Sequence, residues 1–69
     1  MKKFAIEVTK GNTSTVIKTF ETKEEAMQFG AEYFKTMPRD AGVLTCFEGE
    51  FDEQENRTDN SERIFHVWY

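Results

Sequence analysis

Ionisable side chains are most crowded in GEFDEQENRTDNSERIF, residues 49–65. Asp52, Glu53, Glu55, Asp59 and Glu62 lie there, with Arg57 the one cation among them. Grouped carboxylates suit a hard cation, and the calcium-loop pattern can be laid over the chain from Asp52. The place that pattern reserves for glycine is then Arg57, and the place of its bidentate glutamate is Arg63. Two cations stand where the chemistry needs a tight turn and a ligand, so no metal site is expected. Asn, Asp, Ser and Glu between two apolar runs suit a solvated connection between strands.

Cys46 and His66 could form a nucleophile and its base. That chemistry needs the two within hydrogen-bond reach and a third group orienting the imidazole. No Asn or Asp is obviously placed to do so, and no helix N-terminus points at Cys46. A buried thiol and a half-exposed imidazole are the simpler expectation. Zinc needs three or four ligands, and this chain has one Cys and one His. Glycine-rich phosphate loops and the nucleophile-elbow pattern are missing from the sequence. Glu48 and Glu50 could act as paired carboxylates, but one helix on a sheet offers little concavity to desolvate them. No catalytic residue, no cofactor and no enzyme activity are expected.

Elements that would position these groups follow from periodicity. Phe4, Ile6 and Val8 alternate with polar residues, the pattern of a half-buried strand. Lys10-Gly11-Asn12 carries turn chemistry, and Thr13 to Phe20 is a second, β-rich run. Thr22-Lys23-Glu24-Glu25 matches a capping box, which starts a helix. Ala26, Phe29, Gly30, Tyr33 and Met37 then form one helical stripe, giving a helix over 23–37 ended by Pro38. Gly30 within it suggests a close approach to the sheet. Val43 to Asp52 and Arg63 to Tyr69 alternate again as strands. The expectation is one α+β domain over residues 1–69, ordered ββαββ, with one helix packed on one face of a four-stranded antiparallel sheet.

Seven Phe, two Tyr and one Trp supply a core. A domain this small buries only roughly 60% of its unfolded surface, so its stability is modest. One helix covers one sheet face. If Phe4, Ile6, Val8, Phe47, Phe51, Phe65, Val67 and Tyr69 face it, Ala5, Leu44, Cys46, Ile64, His66 and Trp68 form the opposite side. Ile17 joins them if Val16 and Phe20 point to the helix. Such a face is too apolar to be simply wet, and exposed apolar patches mark interfaces. Leu44, Cys46, Ile64, His66 and Trp68 are the candidate interface. A strongly curled sheet would instead fold Trp68 over its own neighbours.

Net charge is −4, with seven carboxylates and one Arg between residues 48 and 62. Aromatic rings on an open sheet can stack nucleic-acid bases. The only cluster of flanking cations is Lys2, Lys3, Lys10 and Lys18, beside a strongly acidic tip, so nucleic-acid binding is disfavoured. The opening MKKFAIEVTKG is interrupted at Glu7, short of the ~7–15 apolar residues of a signal peptide. With no membrane span and one thiol, a cytoplasmic location is expected. The hairpin, the T-x-EEA helix opening at Thr22, Glu24, Glu25 and Ala26, and a final hairpin ending in aromatics resemble small uncharacterised accessory proteins of bacterial conjugative or phage-like mobile elements. That resemblance implies an accessory role without an assigned activity. Function is expected in protein–protein contact, beginning with self-association as a homodimer through the second face or an edge strand. The alternative is an acidic nucleic-acid mimic that antagonises a DNA-binding protein.

Overall fold

A computed structural model describes residues 2–54 and 56–69, without the side chains of 59–61. Strand β1 is Lys2–Lys10, β2 is Thr13–Phe20, helix α1 is Lys23–Thr36, β3 is Val43–Phe51 and β4 is Arg57–Trp68. The sheet runs β2-β1-β3-β4 with every neighbouring pair antiparallel. Strands β1 and β3 are central, and β2 and β4 are its edges. The α+β class, the single helix and the antiparallel sheet agree with the sequence pattern.

Local chemistry explains the boundaries. Lys10 pairs with Thr13 across a two-residue turn in which Gly11 takes φ +61°, a conformation glycine adopts without penalty. The Thr22 hydroxyl accepts the Glu25 backbone N–H at 3.2 Å and donates to the Glu25 carboxylate at 3.0 Å. The expected cap is present, although that carboxylate meets the hydroxyl where a capping box would reach the backbone amide. At the other end the Met37 N–H donates to the Phe34 carbonyl, and Pro38 follows. Gly42, at φ +120°, lies so near the Thr9 carbonyl that a Cβ there would collide with it.

The acidic connection is shorter than expected. Strand β4 begins at Arg57, not Arg63, so most of the supposed loop is sheet. The turn is built by Asp52, whose Oδ1 accepts the backbone N–H groups of Gln54 at 2.9 Å and Asn56 at 2.8 Å. Its own N–H donates to the Asn56 carbonyl at 2.9 Å. Glu55 and the Asp59 side chain lie outside the described residues.

Register corrects the expected sheet faces. Ile6 pairs with Cys46 and Val8 with Leu44, so these four share the face covered by α1. Trp68 pairs with Leu44 and joins them. Ile6, Leu44 and Cys46 are buried there with Ala26, surrounded by Phe4, Phe20, Phe29, Tyr33, Phe65 and Trp68. Phe47 and Phe51, expected beneath the helix, lie instead on the far side with Ala5 in a second small core. Both alternating sets of β3 are apolar, and pairing with β1 decides which one meets the helix. In β4 the register shifts opposite Cys46 and Phe47, so Ile64 pairs with Phe47 while His66 pairs with Cys46. That bulge breaks the period-2 alternation and sends two residues of equal parity to opposite faces. The strand is therefore not one continuous stripe.

Candidate functional site

Of the five candidate interface residues, Leu44 and Cys46 are fully buried beneath α1. Trp68 is half-buried there, its ring against the helix at Gly30. An ideal Cβ on Gly30 would stand 2.5 Å from Trp68 Cη2 and 3.1 Å from Ile6 Cδ1. The missing side chain at Gly30 is thus what admits the indole. His66 is exposed, with its ring edge-on to Trp68 at 4.5 Å between centroids. Ile64 alone stays on the open face, 55% exposed. The set predicted as one surface is divided between two sides of the sheet.

The open face largely covers itself. Phe47 and Phe51 are nearly inaccessible although no described helix lies over them. Their rings, 6.2 Å apart, converge above Gly49, where a Cβ would meet Phe47 Cε2 at 3.2 Å. The Arg57 guanidinium lies 4.9 Å from the Phe47 ring centroid and bonds Glu62 at 3.2 Å. A cation over a ring contributes about 0.5–1 kcal/mol where water has access. Glu7 faces the same cluster. Its carboxyl is pushed above the ordinary value by burial first and by the charge of Glu62 second, with Arg57 opposing both. Two carboxylates of the acidic stretch are therefore engaged internally, Asp52 in its turn and Glu62 with Arg57.

Cys46 and His66 are direct cross-strand partners. The thiol, however, is pushed up by burial, with Lys23 opposing only in part. A nucleophilic cysteine needs the opposite shift, toward thiolate. The groove at the C-terminal end of α1, about 680 Å³, is lined by Phe34, Met37, Val43 and Tyr69 and contains neither Cys46 nor His66. Among the described residues, no three His, Cys, Asp or Glu side chains are placed to hold a metal ion. No described helix is long and apolar enough to cross a membrane.

Strand β2 is largely uncovered. Residues 13–18 are all exposed, and Val16 and Ile17 are 37% and 36% exposed. As the end strand of the sheet, β2 has β1 on one side and no described strand on the other. Its backbone edge is a template for another strand. Composition carried the signal, since TSTVIKTF is β-rich with Lys18 its one charge. Strand order, which makes it an edge, did not come from composition. The class that emerges is a small α+β domain with one helix-covered face, one self-covered face and an open strand edge. Compared with protein-family models, curated proteins and solved structures, the chain matches none of them.

Proposed function

We propose that this chain is a protein-binding module that engages its partner by extending its sheet along the outer edge of β2. It acts by binding and not by catalysis. In this reading it is a ββαββ domain whose helix roofs one face of the sheet, leaving strand addition as the route to contact. Main-chain hydrogen bonds provide the attraction in such strand addition, and alternate side chains provide selectivity. The observation that carries the proposal is the exposure of Thr13 to Lys18 on an edge strand, with Val16 and Ile17 each more than a third exposed. A cytoplasmic accessory role on a mobile element belongs to the same proposal and draws on the resemblance of the hairpin–helix–hairpin organisation.

The test uses the whole chain as bait in extract of its native host, beside a Val16→Lys variant with the same fold by circular dichroism. A partner held by the parent and lost by the variant, with β2 amides slowed in hydrogen exchange within the complex, is the expected result. Equal retention by both baits, or protection elsewhere, overturns it. Capture of a DNA-binding protein that is released by salt and by neutralising Glu50 and Glu53 would favour the acidic-mimic reading instead.

A further inference from the structure

We infer that the strand which docks on β2 is β2 of a second copy of this chain, paired antiparallel about a twofold axis through Thr15. This rests on the edge-strand reading above and commits it to one occupant. The first support is how the lone charge of the strand is disposed. A lysine on an edge strand ordinarily guards it against pairing. Here Lys18 Nζ is drawn over the rings of Phe20 and Phe29, 5.4 and 5.7 Å from their centroids. Thr13 to Ile17 is thus left as a run with no charge, no proline and three β-branched residues before the final Ile17.

The second support is self-complementarity. An isologous pair sets residue i of one copy opposite j of the other and j opposite i. About Thr15, each Ser14 faces the other copy's Val16, and each Thr13 faces its Ile17. Ser14 and Val16 lie on one face, since they pair with Thr9 and Glu7 on the open side of β1. The irregularity between Ile6 and Glu7 falls at Ile17, beyond the centre of this ladder. Lys18 faces Asn12 and never its own copy. The third support is the field. The carboxylates gathered in residues 48–62 belong to β3, β4 and their turn, across β1 from the β2 edge. Two acidic copies can therefore join at β2 while their like charges stay on the outer sides of the joined sheet.

Because Thr15 meets itself on the axis, charge reversal there separates self-pairing from any other contact. Sedimentation equilibrium of the parent chain is expected to show a monomer–dimer equilibrium. Thr15→Glu and Thr15→Lys each place like charges directly opposite and weaken self-association about fivefold. Mixing the two variants restores a dimer containing one of each, while both keep the parent's circular dichroism. A parent chain that stays monomeric throughout the concentration range, or variants that dimerise as the parent does, overturns the inference. Should the monomeric parent still hold a partner through β2, the protein-binding proposal stands and only the identity of the occupant fails.

Discussion

Glu7 is a carboxylate whose surroundings on the sheet disfavour its charged form. It sits half-buried on β1, near Glu62 and under the influence of Arg57. Its native carboxyl titrates above the ordinary value of 4.5, so ionising it costs more in the folded chain than in the unfolded one. Below the unfolded value both states carry the proton and the residue adds no charge term. As pH rises through the raised native range, stability falls, and above that range the penalty is complete. Glu7→Gln is therefore expected to stabilise the chain at neutral pH, with the advantage gone below about pH 4. Denaturant midpoints of both proteins across this range check it. A variant less stable at neutral pH, or an advantage independent of pH, would contradict the assignment.

Helix α1 meets the sheet through its small residues. Ala26 and Gly30 are its two fully buried positions, while Phe29 and Tyr33 stack on each other at 5.7 Å along its flank. Alanine at Gly30 would favour the helix by up to about 1 kcal/mol. Its Cβ would also press on two carbons of the Trp68 ring, and overpacking of that kind costs about 1–3 kcal/mol. Gly30→Ala is thus expected to destabilise the chain, and in a Trp68→Leu background the same change becomes neutral or favourable. A double-mutant cycle by chemical denaturation measures the coupling. The sequence already marked Gly30 as a place of close approach. It did not name the partner, because Trp68 reaches α1 only through the pairing of β4 with β3.

The molecule holds two small cores on opposite sides of one sheet, and both depend on β1 and β3. Ile6 and Ala5 are adjacent in β1, and Cys46 and Phe47 in β3, yet each pair divides between the two cores. Neither core can loosen without disturbing strands that the other needs. Truncating a buried Phe costs about 3–5 kcal/mol. A domain of this size has only a few kcal/mol in total. Phe47→Ala is therefore expected to abolish the helical circular dichroism of α1, although Phe47 faces away from it. Retention of a native helix signal would show that the helix-covered core stands alone. Phe47→Leu should keep the fold with a lowered melting temperature.

Local pattern alone marked the helix, its Thr22 cap, the Gly11 turn and the presence of four strands, because each carries its own periodicity or turn chemistry, but it began β4 at Arg63 where the strand starts at Arg57. It also argued against a calcium loop, since Arg57 and Arg63 stand where that pattern needs glycine and a bidentate glutamate. Tertiary structure decided what alternation leaves degenerate. Both faces of β3 are apolar, so only pairing with β1 could put Leu44 and Cys46 beneath the helix and Phe47 with Phe51 outside. The bulge in β4 then separated Ile64 from His66, which strict alternation would have kept together. Strand order made β2 an edge, and with it the surface on which the proposed function rests. A period-2 pattern records that two faces exist, but long-range pairing chooses which is buried and which strand is left open.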